Sequence, residues 1–274
     1  MKRSLVFVAI ALLTCLSANA QGNKTYVSYR GADTNACSRV LPCRTVNHAL
    51  SVIAPGFAGT VDIIDSGDYD AFTINQGVTV IADPGVLATI GCSACNAITV
   101  NSGSSVILRN LHLNGLDQTS TGVLINSKGT VSLQQMHIER FQIGIDFGAG
   151  RLDMSDTTVD DNWIGLNSDG GGNVNRPVGS FTGSRFVNNW QEGVSLANGG
   201  PYVFDKCSII GNQTGIQTRS ATTFLSNSTI TQNNTGVEVI GRSVSTFGNN
   251  KIGANTFVDV DTQSGGQFTL ISTR

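Results

Sequence analysis

Apolar and polar residues alternate in a short unit that recurs down the second half of the chain. Each copy begins with a glycine and an aliphatic residue, at Gly122-Val123, Gly144-Ile145, Gly165-Leu166, Gly193-Val194, Gly215-Ile216 and Gly236-Val237. Successive copies are 22, 21, 28, 22 and 21 residues apart. A fixed period of this length predicts a solenoid, because one such coil cannot bury its apolar face without a neighbour.

Two strands of each coil can be aligned by their alternation, since a period of two places every second side chain on one face. The first inward set follows the glycines and extends to Val258 and Val260 in the last coil. A second inward column contains Leu113, Ile138, Val159, Phe186, Ile209, Ile230 and Ile252. The columns two and five residues earlier also face inward and include Cys207 and Phe247, respectively. We therefore expect Cys207 to be a buried structural thiol.

Asparagine occupies the same corner in five successive coils, three residues past the second inward column. These residues are Asn162, Asn189, Asn212, Asn233 and Asn255. Asparagine tolerates left-handed backbone geometry and bonds to nearby backbone groups. Five identical copies predict a structural ladder of amides bonded from coil to coil, since a binding site would not need them all.

The first twenty residues predict a secretory signal. Lys2 and Arg3 form a basic end, residues 5–13 an apolar stretch, and Ala18-Asn19-Ala20 a small-residue cleavage site. The apolar stretch is too short for a membrane anchor, and no later segment is apolar enough to cross a bilayer. We therefore expect a secreted or periplasmic protein without a membrane span after cleavage.

Composition narrows the class of protein. Charged residues make up 13% of the chain and glycine occurs 32 times, which suits turn-rich β structure. The formal net charge of −2 falls by two further units once Lys2 and Arg3 are removed with the signal. An acidic chain without a basic stripe disfavours nucleic-acid binding.

Four of the five cysteines that remain after cleavage form two local pairs. Cys37 and Cys43 lie close together in the first folded segment, and Cys92 and Cys95 form a C-x-x-C pair. Export favours two disulfides at these positions. A zinc site is the alternative, although no nearby histidine completes a familiar spacing.

The coil length, the glycine-aliphatic strand starts and the asparagine ladder together resemble a right-handed parallel β-helix of the pectin-lyase-like class. Residues 25–28, 37–39 and 42–45 are similar to secreted bacterial β-helix repeat proteins. The resemblance implies an all-β fold, a single-stranded right-handed parallel β-helix, with a short helix that caps the first coil. Thr45 to Ile53 fits that helix, because its apolar residues recur at helical spacing.

The expected organisation has three parts. A signal peptide covers 1–20, an N-terminal segment with the capping helix covers 21–60, and the parallel β-helix covers 61–274. The 28-residue spacing contains an insertion, Asp169 to Pro177, which we expect to protrude as a flexible loop.

Titratable side chains cluster on the outward side of the second inward column. The candidate catalytic residues are His137, Glu139, Asp160, Asp161 and Arg185, with His112 one coil below. Paired carboxylates at this spacing can share a proton or a metal, and a neighbouring histidine can act as acid or base. Glu139, Asp160 and Asp161 are the candidate metal ligands, and their oxygens would favour calcium. The alternative is a solvated face whose opposite charges pair weakly across strands.

Trp163 and Trp190 lie four residues past the second inward column in consecutive coils. Exposed, stacked indoles would form a platform for sugar rings, so both residues are candidate ligand-binding positions. The alternative is an inward or corner stack that stabilises the coil, which the frequency of aromatic residues in protein cores favours.

Family signatures narrow the function. A resemblance to polygalacturonases would require Asn-Thr-Asp, Asp-Asp, Gly-His-Gly and Arg-Ile-Lys, of which Asp160-Asp161 alone is present. Pectate lyases use an acidic calcium cluster and an arginine base, which Glu139, Asp160, Asp161 and Arg185 imitate without an extended motif.

We therefore expect a non-catalytic binding or structural protein without a required cofactor. Its partner would be a polysaccharide or another cell-surface component. A polysaccharide lyase acting on an acidic glycan is the alternative, ahead of a hydrolase, and calcium would be its metal.

Overall fold

A computed structural model describes residues 23–54, 58–116, 119–170 and 176–271. The expected signal peptide at 1–20 lies outside the described residues, as does the middle of the expected loop at 169–177. None of the helices in the described ranges has both the length and the apolar character needed to cross a membrane.

The coils wind through three parallel β-sheets that run along the axis of the solenoid. Sheet 1 is formed by Lys24–Val27, Gly59–Ile63, Val78–Ala82, Val106–Arg109, Thr130–Gln134, Arg151–Ser155, Val178–Thr182, Gly199–Asp205, Ala221–Ser226, Ser243–Thr246 and Gln267–Leu270. Sheet 2 is formed by Gly67–Tyr69, Ala88–Cys92, Leu111–Gly115, His137–Glu139, Thr158–Asp160, Arg185–Val187, Ser208–Ile210, Thr229–Thr231 and Lys251–Ile252. Sheet 3 is formed by Phe72–Ile74, Asn96–Val100, Thr121–Ile125, Ile143–Phe147, Ile164–Ser168, Glu192–Leu196, Thr214–Arg219, Thr235–Ile240 and Val258–Gln263.

A short helix, Val46–Ser51, covers the first coil and buries Val46, Ala49 and Leu50 against it. The Thr45 side chain caps this helix by accepting a hydrogen bond from the backbone N–H of His48. The preceding strand, Lys24–Val27, pairs with Gly59–Ile63, so the N-terminal segment also contributes to sheet 1. The cap thus shields the backbone groups that the first coil would otherwise present at an open edge.

Disulfides join Cys37 to Cys43 and Cys92 to Cys95. The first closes the loop between the initial strand and the capping helix, and the second spans the turn from sheet 2 to sheet 3. Cys207 is a free thiol that is 1% exposed. Burial raises the pKa of this thiol to about 12, which makes it inert at neutral pH.

The repeated glycine is explained by crowding at the corner between sheets 2 and 3. A Cβ atom on Gly215 would lie 2.5 Å from the carbonyl oxygen of Gly236 and 3.0 Å from Nδ2 of Asn233. A Cβ atom on Gly165 would likewise lie 2.5 Å from the carbonyl oxygen of Gly193 and 3.0 Å from Nδ2 of Asn189. Only glycine lets successive coils approach so closely at this corner, so the periodicity has a steric cause.

The asparagines at this corner form a continuous hydrogen-bonded ladder inside the coil. The backbone N–H and Nδ2 of Asn212 both donate to Oδ1 of Asn233 at 2.9 Å. The bonds from Asn189 to Asn212 repeat this pattern at 2.9 and 3.1 Å. Below, the N–H of Phe141 donates to Asn162; above, Asp259 accepts from Asn255. Each rung therefore satisfies buried backbone groups of its neighbour, as a structural element must.

The second inward column has the expected register from Leu113 to Ile252. Two expectations about the last coils are wrong. Val260, not Val258, pairs with Val237, and Thr246, not Phe247, pairs with Leu225. No glycine marks the final coil, because Asp259 stands at that corner and its carboxylate ends the asparagine ladder.

Candidate functional site

The outer face of sheet 2 brings the candidate histidines and carboxylates into two adjacent columns. His112 pairs in register with His137, which pairs with Thr158 in the next coil. Glu139 stands in the neighbouring column with Asp160 above it. Because alternate residues of a strand share a face, these side chains converge on one patch, here called the imidazole–carboxylate cluster.

Hydrogen bonds and ion pairs connect this cluster. His112 Nε2 lies 2.9 Å from Oε1 of Glu139. His137 Nε2 lies 2.8 Å from Oδ1 of Asp160 and 3.8 Å from Oε2 of Glu139. The two imidazole rings stack with their centroids 4.8 Å apart and an interplanar angle of 16°. Asn114 Nδ2 donates to the same Glu139 oxygen at 2.8 Å. Glu139 is therefore the common partner of both histidines.

The electrostatics of the cluster favour positive charge. The hydrogen bond that His137 makes to the Asp160 carboxylate raises the pKa of His137. Partial burial opposes this effect, and the charges of Asp160, Glu139 and Asp161 reinforce it. Desolvation and repulsion by Asp160 and Glu139 raise the pKa of the Asp161 carboxyl. A surplus of carboxylates on one half-exposed face thus holds protons and attracts cations.

Two predicted members of the cluster lie apart from it. Asp161 has a left-handed backbone with φ of 52° and projects at the corner between sheets 2 and 3, where it lines a different groove. Arg185 pairs with Thr158, which places it two coils from His137, and it is exposed. The side chains that contact Glu139 instead include those of His112 and Asn114. Sequence periodicity located His112 one coil below but gave no reason to single it out.

The donor set does not fit calcium, the metal that the resemblance to pectate lyases implies. Calcium takes about six to eight oxygen ligands in a flexible shell. Here two imidazole nitrogens occupy the centre of the cluster, and Asp161, one of the three expected oxygen ligands, faces another groove. No calcium-dependent chemistry is therefore derived for this face.

Trp163 and Trp190 project from adjacent coils at the corner between sheets 2 and 3. The backbone N–H of Gln191 donates to the carbonyl of Trp163 at 2.9 Å, which fixes the two coils as neighbours. The indoles are 46% and 64% exposed. The expectation of an inward or corner stack is wrong, because both rings are exposed to solvent. The expected stacking of the two exposed indoles is also wrong, because they make no stacking contact with each other in the described part of the chain.

An open groove of about 470 Å³ lies beside Trp190. Its exposed polar lining consists of Asp161, Asn188, Gln213, Gln232 and Asn234. Side-chain amides offer both donors and acceptors, so this groove, here called the amide groove, can bond to hydroxyl groups in either sense.

A second groove, of about 550 Å³, adjoins the cluster on its N-terminal side. Its lining includes Tyr29, Arg44, Asp68, Asn114 and Arg140. The Arg44 guanidinium lies 4.9 Å from the ring centroid of Tyr29, a cation–π arrangement that orients both side chains. No pattern in the sequence indicates this groove, because the N-terminal segment reaches sheet 2 only through the tertiary fold.

The long insertion does not border the cluster at either described end. Asp169 and Gly170 follow the sheet 3 strand Ile164–Ser168, and Arg176 and Pro177 precede the sheet 1 strand Val178–Thr182. Both ends therefore lie at the corner between sheets 3 and 1. Sheet 2, which carries His137 and Glu139, lies across the coil from that corner.

Comparisons with known proteins identify relatives of the fold described above. Residues 173–273 match a family model described as a right handed beta helix region. No curated protein matches the sequence.

Solved structures with similar folds include pectate lyase Pel9A, at a TM-score of 0.63 and 14% identity, with 91% of this chain and 76% of that chain covered. A rhamnogalacturonan lyase matches at a TM-score of 0.51 and 15% identity over 82% of this chain and 73% of that one. The enzymatically active domain of tailspike protein 2 from bacteriophage CBA120 matches at 0.52 and 11% identity, and 82% of this chain covers 39% of it. These likenesses establish the fold, a pectate-lyase-like right-handed parallel β-helix.

Proposed function

We propose that this protein is a non-catalytic glycan-binding β-helix and that it holds its ligand in the amide groove beside Trp190. The observation that carries the proposal is the exposure of Trp163 and Trp190 on adjacent coils. Large indole surfaces are normally buried, and exposed ones need a reason. A sugar ring supplies one, since its C–H face packs on an aromatic ring while its hydroxyls reach polar neighbours.

The polar lining of the groove suits a neutral or weakly charged glycan. Asn188, Gln213 and Asn234 present neutral amides beside the Trp190 ring, and Asp161 adds one carboxylate at the edge. The groove is open along the surface rather than closed into a pocket, so a polymer can enter and leave without threading its end. Such a surface binds a chain through several weak contacts.

The similar solved structures support a glycan as the partner class. Two of them are lyases named for pectate and for rhamnogalacturonan. A shared fold does not transfer an activity, so the support concerns the kind of molecule that this architecture accommodates and not a reaction.

An extracytoplasmic location is part of the proposal. The disulfides Cys37–Cys43 and Cys92–Cys95 are typical of an oxidising compartment. The basic, apolar and small-residue pattern of 1–20 supports export followed by cleavage after Ala20.

A polysaccharide lyase is the second candidate, favoured by the imidazole–carboxylate cluster beside the groove that contains Arg44 and Arg140. A lyase needs a base beside the sugar carbon and positive charge on the uronate carboxylate. Glu139 and Asp160 instead supply negative charge and are already bonded to histidines. The non-catalytic function is therefore preferred.

The test is binding and turnover of the purified protein on a panel of neutral and acidic polysaccharides. We expect retention without product, and a loss of affinity of at least about tenfold in Trp163→Ala/Trp190→Ala, because each buried ring contact contributes on the order of 1 kcal/mol. Trp190→Phe, which keeps an aromatic face, should retain part of the affinity.

Phe257→Ala is the matched control, since it removes an exposed ring at the same corner three coils above Trp190. Unchanged binding by the double tryptophan variant would refute the proposed site. Formation of an unsaturated product that Glu139→Gln abolishes would replace the proposal with the lyase.

A further inference from the structure

We propose that the outer face of sheet 2 carries a site for one borderline divalent transition cation such as Zn²⁺, bound by Nε2 of His112, Nε2 of His137 and the carboxylate of Glu139. This site is distinct from the amide groove, and it does not depend on the glycan-binding proposal.

The geometry of the three ligands carries the inference. Their donor atoms all lie within 4.8 Å of one another. Both Nε2 atoms already face the Glu139 carboxylate, His112 at 2.9 Å from one oxygen and His137 at 3.8 Å from the other. Zinc–nitrogen bonds of about 2.0–2.1 Å require donor atoms roughly 3.3 Å apart in a tetrahedral shell. Small side-chain rotations, which a half-exposed His137 permits, close the remaining gap.

Rigid strands hold the ligands in this arrangement. His112 and His137 are register partners in adjacent coils, and the Nε2 atoms of both lie beside the Glu139 carboxylate. Glu139 shares a three-residue strand with His137 and is additionally oriented by Asn114. Sites on strands are positioned more accurately than sites on loops, which lowers the cost of binding a small ion.

Asp160 provides the remaining donor. Its Oδ1 lies 2.8 Å from Nε2 of His137, so a cation bound to that nitrogen would come within reach of the carboxylate. The site would then hold two neutral imidazoles and two carboxylates, which balance a divalent charge. Asp161 and Arg140 are charged neighbours at the adjoining corner, and their charges oppose each other.

The ligand chemistry selects the class of metal. Imidazole nitrogens favour zinc, nickel and copper, whereas calcium and magnesium prefer oxygen donors alone. The nitrogen-rich set that fails the requirements of calcium therefore meets those of a borderline transition ion. The rival explanation is a metal-free network in which the two histidines only hydrogen-bond to Glu139 and Asp160.

The experiment is calorimetric titration of Zn²⁺ into chelator-treated, tag-free protein, with Ca²⁺ titrated in parallel. We expect one saturable Zn²⁺ site and at least a tenfold loss of affinity in both His112→Ala and His137→Ala. His48→Ala is the matched control, because His48 lies in the capping helix and is the remaining histidine of the chain. Its affinity for Zn²⁺ should equal that of the unaltered protein.

Electron paramagnetic resonance of the Cu²⁺-loaded unaltered protein gives a readout that does not depend on any variant folding. We expect superhyperfine coupling to two imidazole nitrogens. Absence of saturable Zn²⁺ binding, an affinity in His112→Ala and His137→Ala equal to that of the unaltered protein, or coupling to no imidazole nitrogen would each overturn the proposal. Loss of sugar binding in the tryptophan variants would leave the metal titration unchanged, so the two proposals fail separately.

Discussion

The corner between sheets 2 and 3 and the outer face of sheet 2 are both lined by polar side chains that stack from coil to coil. At the corner the same residue repeats, and Asn162, Asn189, Asn212 and Asn233 are buried and fully bonded to one another. On the face the residues differ in each coil, and the His112, His137 and Glu139 side chains remain 19%, 44% and 19% exposed.

The difference shows how a solenoid separates architecture from recognition. A buried amide that bonds both neighbours must be the same in every coil, because any gap leaves backbone groups unsatisfied. An exposed face has no such constraint, so residues that differ from the repeat can form a binding or reactive site there without loss of the fold. In this molecule the imidazole–carboxylate cluster and the tryptophan pair are both such departures, each confined to two or three coils.

The largest expected effect tests the steric basis of the corner. Gly215→Ala should lower the free energy of unfolding by about 3 kcal/mol, because the added Cβ overlaps the carbonyl of Gly236 and overpacking costs this much. Gly103→Ala is the control, since its Cβ would meet nothing within 4 Å. Denaturant unfolding of both variants measures the difference in their free energies of unfolding. Equal stability of the two variants would show that steric crowding does not require glycine at this corner.

The next effect tests the ladder itself. Asn212→Ala should cost about 2 kcal/mol, because it strands the buried N–H and Nδ2 of Asn189 and removes a bond to Phe186. Asn234→Ala, on the exposed side of the same corner, should change the free energy of unfolding by less than about 0.5 kcal/mol. Thermal or denaturant unfolding measures both changes. An equal loss of stability in the two variants would contradict a special stabilising role for the buried ladder.

A smaller effect should appear on the outer face as a dependence on pH. Since the pKa of His137 is raised in the folded state, its stabilising contribution is complete below the unfolded-state pKa and is lost as pH rises through the folded value. The loss between about pH 5 and pH 9 should stay below about 1 kcal/mol, because water screens this half-exposed pair. Chelator-treated protein and its His137→Gln variant should differ in slope across this range, and parallel curves would contradict the ion pair with Asp160.

The smallest effect is expected at the centre of the cluster. Glu139→Gln should alter the free energy of unfolding by less than about 0.5 kcal/mol in metal-free protein, because partly exposed ion pairs contribute little. The amide can still accept from Asn114, which keeps one of the bonds. A loss as large as that of Asn212→Ala would mean that this face is structural like the corner.

Several features of the fold could be predicted because they repeat. The second inward column, the positions of the asparagines and the buried Cys207 follow from a period that places equivalent residues on one line. The predicted register is wrong where a coil lacks the glycine that begins the other repeats. In the last coil Asp259 replaces the glycine, and Val258 was assigned the position that Val260 occupies.

The candidate site was predictable only in part. Alternation placed His137, Glu139 and Asp160 on one outward face, and the structure brings their side chains into contact. It does not bring Arg185 or Asp161 into that cluster. Arg185 lies two coils from His137 with its side chain exposed, and Asp161 projects at the corner. The exposure of Trp163 and Trp190 could not be predicted from alternation either, because a side chain at a corner can point inward or outward.

The solenoid, its ladder and the outward strip of charge follow from residue spacing alone, because the chain repeats. Which side chains meet across different segments depends on the folded structure. It placed Tyr29 and Arg44 against sheet 2, made His112 the partner of Glu139, and left both tryptophans in solvent. Contacts of this kind depend on corner geometry and on how coils stack, which no local period specifies.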